Sequence, residues 1–299
     1  MKTRINKIAR TALTLSAVSL LVLTTGCGRS GDTNPAKDTV VSNETGQSAA
    51  SLVPADLKAA GVLKVATAEG YPPMEMYKEG TQELIGVDPE LGALIAKQLD
   101  LKFQITNSSF PGLIPGLQSK QWDLAISSMS DTEKRRNAVN FVDYFMAGGA
   151  IMVKKGNPEG ITGIADLCGK KIVGAKGSSN LAILENYSKD ECETPMTISE
   201  SEDAPTGLLQ IDTNRAIATV VDYPVAKQLA AKAGTYEVLP EQYDAGPWGI
   251  AIDKKNTELT AAIKAALQEL MDNGEYQKLL EKYDVADAGV KEATLNDGK

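Results

Sequence analysis

The stretch Asp88–Thr106, DPELGALIAKQLDLKFQIT, contains the pattern that decides the fold. From Leu91 to Leu99 the apolar residues recur at helical spacing, and the proline and glutamate after Asp88 suit a first helical turn. The final five residues, Lys102–Thr106, alternate polar and apolar side chains as a strand does. We therefore predict a helix that is followed at once by a strand.

The same alternation extends on both sides of this stretch. A short strand precedes it at Leu63–Thr67, and a helix and a strand follow it at Phe110–Ser119 and Trp122–Ser127. Strands that alternate with helices indicate a parallel sheet with helices on both faces. The pattern restarts after Ala150, with an apolar run at 151–153, strands at 171–173, 215–221 and 248–252, and helices at 180–187, 225–233, 257–272 and 275–282.

This order of elements predicts an α/β protein of two lobes. The segment 248–252 is expected to return to the first lobe, so that two crossover strands form a hinge and the cleft between the lobes is the natural ligand site. We expect lobe 1 to comprise 53–148 and 249–287, lobe 2 to comprise 149–248, and 288–299 to be a tail.

Composition excludes several classes of function. With 42% hydrophobic residues, the 299-residue chain can build a substantial core. It contains no histidine, which removes Ser-His and Cys-His nucleophile pairs and imidazole metal sites. The net charge of -8 argues against nucleic-acid binding. We predict no metal, no cofactor and no enzymatic activity.

The first residues have the features of an export signal. A basic start precedes an apolar stretch, Ala12–Leu23, which is shorter than the roughly 20 residues of a membrane span. The following Thr24-Thr25-Gly26-Cys27 resembles the lipobox of bacterial lipoproteins, which implies acylation of Cys27. We predict a lipoprotein signal at 1–26 and a flexible tether at 27–52. An uncleaved membrane helix and a free secreted protein are the alternatives.

Two further cysteines, Cys168 and Cys192, remain in the body of the chain. An isolated pair in an exported protein favours a disulfide, and two free buried thiols are the alternative.

The segment Asp123–Met146, DLAISSMSDTEKRRNAVNFVDYFM, closely resembles the central signature of the extracellular solute-binding proteins of family 3, the amino-acid receptors. The resemblance continues over 63–284 through further ordered motifs. These motifs are Tyr71-Pro-Pro, Gly86-Val-Asp-Pro-Glu-Leu, Phe110-Pro-Gly-Leu-Ile-Pro-Gly-Leu, Gly177-Ser-Ser, Val221-Asp-Tyr-Pro-Val-Ala and Trp248-Gly-Ile-Ala-Ile.

The resemblance implies a role for individual residues. Arg135 would bind the α-carboxylate of an amino acid, as a planar guanidinium can do bidentately, and Asp222 would accept from the α-ammonium. The other expected ligand-binding residues are Ser128, Ser130, Ser179, Tyr71, Phe110 and Glu69. The alternatives are a surface charge for Arg135, a helix cap for Ser179, a turn residue for Asp222, and core packing for Tyr71 and Phe110. Where basic-amino-acid receptors of the family often carry an acid, this chain has Ala68.

The function that the resemblance implies is the substrate-binding component of an ABC importer, a monomer on the outer face of the cytoplasmic membrane that docks on a permease. A P-loop pattern is absent from the sequence, so ATP must be used by a partner. The alternatives are a ligand sensor subunit and a dehydratase-like enzyme on the same fold.

Overall fold

The structure is a computed structural model, and it describes residues 48–298. The predicted signal, Cys27 and nearly all of the predicted tether lie outside the described residues.

The strands of the described chain are β1 (Val62–Thr67), β2 (Met76–Tyr77), β3 (Leu84–Ile85), β4 (Lys102–Asn107), β5 (Leu124–Ala125), β6 (Val139–Lys154), β7 (Lys171–Ala175), β8 (Thr197–Ser201), β9 (Ala218–Asp222), β10 (Tyr236–Asp253) and β11 (Gly289–Leu295). The α-helices are α1 (Ala55–Ala60), α2 (Val87–Gln98), α3 (Leu113–Gln118), α4 (Glu133–Arg136), α5 (Ser179–Asp190), α6 (Ala204–Asp212), α7 (Tyr223–Ala233), α8 (Thr257–Asp272) and α9 (Glu275–Lys282).

Apart from the small β2–β3 pair, these strands form one mixed sheet in the order β4-β1-β5-β10-β6-β9-β7-β8, with β11 also pairing with β6. At one end, β1 runs parallel to β4 and β5. At the other end, β7 runs parallel to β8 and β9. The first set belongs to lobe 1 and the second to lobe 2, which confirms the predicted two-lobe α/β fold.

The two crossover strands are longer than the sequence patterns suggested. β6 has 16 residues and β10 has 18, and they pair antiparallel with each other while β9 flanks β6 in lobe 2. The side chains of β6 are buried on both faces, except at Met146 and its last residue. Such a strand lacks the alternation that marks a half-buried one, so the predicted segments 151–153 and 248–252 captured only parts of the crossovers.

Apolar side chains pack on both faces of the sheet. The largest buried cluster includes residues of α2, α8 and α9 in lobe 1 and of α6 and α7 in lobe 2. A second cluster, with Ile172 and Leu184, lies in lobe 2, and a third, with Leu117 and Trp122, lies in lobe 1. Helices therefore cover the sheet on both sides, as the alternating pattern predicted.

Both ends of the described chain are packed on lobe 1. A 3-10 helix, Ala49–Leu52, buries Ala49, whose N–H donates to Glu269 Oε1 at 2.8 Å. The tether predicted to reach residue 52 therefore ends earlier, because this segment fills a site against α8. The segment expected to be a tail forms β11, which pairs with β6 and buries Ala293. It is an edge strand of lobe 1.

Cys168 and Cys192 form a disulfide in lobe 2, as predicted, with 5.4 Å between their Cα atoms. The bond joins the loop before β7 to the segment between α5 and β8. It closes a loop around one βα unit of the smaller lobe.

Candidate ligand-binding cleft

A cavity of about 230 Å³ lies between the two lobes. Its walls are the segments that follow the carboxyl ends of β1, β4, β5, β7, β8 and β9, the edge at which open α/β sheets place ligands. All the predicted ligand-binding residues line it: Glu69, Tyr71, Phe110, Ser128, Ser130, Arg135, Ser179 and Asp222. The fold brings residues that are up to 153 positions apart to one place.

Arg135 lines the cavity from lobe 1. It belongs to the single-turn helix α4, which Thr132 caps, and its guanidinium lies 5.3 Å from the centre of the Phe110 ring. Nη1 donates to the Ser130 carbonyl at 2.8 Å and Nη2 donates to the Gly177 carbonyl at 3.1 Å. Burial lowers the pKa of Arg135 to about 10, so the side chain remains a cation at neutral pH. It is a partly buried cation whose remaining N–H groups can donate to an anion.

Asp222 lies opposite, in lobe 2, where β9 passes into α7. Its Oδ2 accepts from the Tyr71 hydroxyl at 2.5 Å and from Asn180 Nδ2 at 3.0 Å, and its own N–H donates to Tyr71 Oη at 3.1 Å. Burial raises the pKa of Asp222, while these hydrogen bonds and Arg135 act in the opposite direction. Burial of Tyr71 and the neighbouring Asp222 raise the pKa of Tyr71, so its hydroxyl stays protonated and can donate.

The sequence left open whether the serines at the amino end of α5 cap the helix or bind ligand. Ser178 is the N-cap, because its Oγ accepts from the N–H of Leu181 at 3.0 Å. Ser179 is therefore free to face the cavity, and its hydroxyl lies 2.9 Å from the hydroxyl of Ser130 in lobe 1. Helix α5 has 12 residues, and the N–H groups of its first turn favour an anion.

Ser128 has a different environment from Ser130. It is 6% exposed and has a φ of 46°, in the left-handed region that residues with a Cβ rarely adopt. Its N–H donates to Asp88 Oδ2 at 2.7 Å, and its hydroxyl donates to Glu75 Oε2 at 3.2 Å. This serine shapes the floor of the cavity through two buried acids.

Two acids face one another across the cleft. Glu69 follows β1 in lobe 1, and Asp203 precedes α6 in lobe 2. Asp203 Oδ1 caps α6 by accepting from the N–H of Thr206 at 2.7 Å, and a Cβ placed on Gly70 would lie 3.5 Å from Asp203 Oδ2. Burial first, and the charge of Asp203 second, raise the pKa of Glu69.

Several cavity residues were not predicted to bind ligand. Asn180 and Asp203 line the cavity from lobe 2, and Ser127 lines it from lobe 1. Asn180 directly follows the Gly177-Ser-Ser motif, so its position was the available signal. Asp203 lies before a helix that the apolar pattern did not reveal. Between Ser48 and Gly298, no cluster of three Cys, Asp or Glu side chains has a geometry suited to a metal ion.

Comparison with known proteins identifies the family. Residues 63–286 match the model of the bacterial extracellular solute-binding proteins, family 3, and the chain belongs to that family. None of the helices from Ser48 to Gly298 combines the length and apolar character that a bilayer crossing requires.

Individual relatives are similar along most of their length. An arginine-binding protein of Corynebacterium glutamicum is 28% identical over 253 residues, which cover 83% of this chain and 82% of the relative. An arginine-binding extracellular protein of Bacillus subtilis is 32% identical over 225 residues, covering 74% and 85%. A solved structure of an ancestral arginine-binding protein bound to arginine is 34% identical with a TM-score of 0.70, covering 75% of this chain and 98% of that one.

Proposed function

We propose that the protein binds a free amino acid between its lobes and delivers it to an ABC permease. The observation that carries this proposal is the pairing of Arg135 with Asp222 in one cavity. An amino acid presents a carboxylate and an ammonium at fixed spacing, and a guanidinium fork and a buried carboxylate are their matching partners. Ser130, Ser179 and the first turn of α5 add donors for the carboxylate.

We further propose that the ligand has a cationic side chain. If Arg135 and Asp222 neutralise the α-groups, the remaining acids at the cavity surface are Glu69, Glu202 and Asp203, since Glu75 is buried beneath its floor with a raised pKa. Among the described residues that line it, Lys176 is the one cation besides Arg135. An excess of anions favours a cationic ligand and disfavours an acidic one. The arginine-binding relatives support the same class.

Closure of the lobes is the proposed means of capture. Glu69 and Asp203 come from opposite lobes and repel each other, so a cation between them favours the closed arrangement by differential contact. Tyr71 and Phe110 would pack against the ligand side chain. The permease and its ATPase supply the energy of transport. An acyl chain on Cys27 would hold the receptor at the membrane, and catalysis is not part of the proposal.

Calorimetry with a panel of amino acids tests the proposal. L-arginine, L-lysine and L-ornithine should bind more tightly than L-glutamine, and L-glutamate should bind weakest. Arg135→Ala should abolish binding of all of them, because it leaves a carboxylate without its partner in a desolvated cleft. Absence of binding for every amino acid, on folded protein freed of any copurified ligand, would contradict the function.

A second set of variants tests the charge argument alone. Glu69→Gln and Asp203→Asn should each weaken L-arginine binding about tenfold while leaving L-glutamine binding nearly unchanged. Asparagine is as good an N-cap as aspartate, so the second change preserves α6. Glu185→Gln, an exposed acid on α5 outside the cavity, is the matched control. Equal losses for both ligands would refute the assignment of these acids to the side chain.

A further inference from the structure

Two buried carboxyl groups lie under the floor of the cleft, and the binding contacts above do not explain them. Glu75 is 1% exposed and Asp88 is 0% exposed. Glu75 comes just before β2, and Asp88 lies in the first turn of α2. Their carboxyl groups flank the same Ser128 hydroxyl, and Glu75 also lines the cavity.

The hydrogen-bond donors around the pair are unequally divided. Asp88 accepts from the Tyr144 hydroxyl at 2.7 Å and from the N–H of Ser128 at 2.7 Å. Glu75 accepts from the Ser127 hydroxyl at 3.0 Å. Glu75 Oε2 and Asp88 Oδ2 lie 3.2 Å and 3.4 Å from the Ser128 hydroxyl, which has a single proton to donate. Two ionised carboxylates would therefore face each other with one donor between them.

Among residues 48–298, no lysine or arginine forms an ion pair with either carboxyl group of the pair. The titratable groups that face it are Tyr71 and Tyr144, which are neutral, and the hydroxyls of Ser127 and Ser128 complete its surroundings. Burial and the neighbouring Asp88 raise the pKa of Glu75 well above its usual value. Burial also raises the pKa of Asp88, to about 6, against the effect of its better donors.

We propose that Glu75 and Asp88 share one proton, carried by Glu75, and that this protonated pair is a positioning device for the cleft. Glu75 holds Ser127, whose Oγ accepts from the N–H of Ala68 at 2.9 Å, while Asp88 holds Ser128 in its left-handed conformation. The Glu75 carbonyl accepts from the N–H of Tyr71 at 2.9 Å. One pair of acids thus sets the positions of two loops that line the ligand cavity.

The proton can be tested without any ligand. An acid that stays protonated in the folded state costs stability as pH rises above its unfolded pKa of about 4.3, because the unfolded chain then loses a proton that the folded one keeps. Glu75→Gln keeps a donor towards Asp88 and removes this dependence. The ratio of its folding constant to that of the native protein should rise with pH above 5, by as much as tenfold per pH unit.

Urea unfolding at pH 5 to 9 measures this ratio. Asp143→Asn is the matched control, because burial raises the pKa of Asp143 to about 7 but this residue contacts Thr294 and Asp297, away from the cavity. Its ratio should rise only to about pH 7 and then level off. A Glu75→Gln protein that is less stable than native by a constant factor above pH 5 would show that Glu75 is ionised, and would overturn the shared proton.

The positioning role rests on the proposed function, and it is tested by measuring the affinity for L-arginine. Glu75→Gln should keep the affinity within about threefold, whereas Glu75→Ala, which frees Ser127 and Ser128, should lower it at least tenfold. Asp143→Asn should bind like the native protein. Native affinity in Glu75→Ala would overturn the positioning role. Failure of the native protein itself to bind would count against the proposed function, and the urea experiment would still decide the proton.

Discussion

The hydroxyl of Tyr71 offers the sharpest test of how the lobes are held together. It joins lobe 1 to lobe 2 by donating to Asp222 Oδ2 at 2.5 Å and accepting from the N–H of Asp222 at 3.1 Å. Tyr71→Phe removes both hydrogen bonds but keeps the ring, which lies 6.4 Å from the ring of Trp248. The change therefore acts on closure with little effect on packing.

The size of the effect follows from the charge of the acceptor. A hydrogen bond to a charged group contributes about 1.5–3 kcal/mol, which is about 10-fold to 150-fold in the closing equilibrium. Asp222 keeps its bond from Asn180, so the loss should lie near the lower limit. If the bond persists around a bound ligand, the dissociation constant for L-arginine should rise by up to the same factor.

Small-angle scattering and calorimetry would measure the two consequences. Without ligand, the variant should have a larger radius of gyration than the native protein, and saturating L-arginine should remove the difference. Tyr236→Phe is the control, because Tyr236 donates to Asp212 at 2.5 Å within lobe 2 and crosses no cleft. Scattering and affinity that match the native protein in Tyr71→Phe would refute the idea that this pair helps to close the lobes.

Three further changes should have separable effects. Replacing both disulfide cysteines by serine should lower the free energy of unfolding by about 3 kcal/mol, with unchanged affinity in calorimetry; an unchanged urea midpoint would contradict this. Gly149→Ala places a methyl 2.2 Å from Asn180 Oδ1, so it should displace the partner of Asp222 and weaken ligand binding, and unaltered affinity would count against that role. Gly116→Ala meets the Trp122 ring at 1.9 Å and should cost about 1–3 kcal/mol of stability without changing affinity once folded, as thermal unfolding would reveal.

Local patterns predicted the helices that have one buried face. α8 and α9 begin and end where the apolar spacing placed them, at Thr257–Asp272 and Glu275–Lys282. The long crossover strands were only partly predicted, because strands buried on both faces carry no period. The edge strand β11 was missed for a different reason: its pairing with β6 joins segments far apart in the sequence.

The residues of the candidate site were also predicted only in part. Arg135, Ser179 and Asp222 lie in recognisable motifs at strand ends, and the structure brings them to one cavity. Asp203 could not be predicted, since its place depends on how lobe 2 faces lobe 1. Asp88 is the first residue of the helix predicted from the sequence, a position that is commonly exposed. Only the packing of α2 against the floor of the cleft shows that it is buried.

The packing of both ends of the described chain on lobe 1 makes the two lobes mechanically unequal. The 3-10 helix at Ala49 docks on α8, and β11 docks on β6, while lobe 2 continues from lobe 1 only through β6 and β10. A load applied to either end of the described chain is therefore borne by lobe 1. Lobe 2 is connected to lobe 1 through the two antiparallel strands β6 and β10 and bears none of that load. It can swing towards a ligand without working against whatever holds the protein in place.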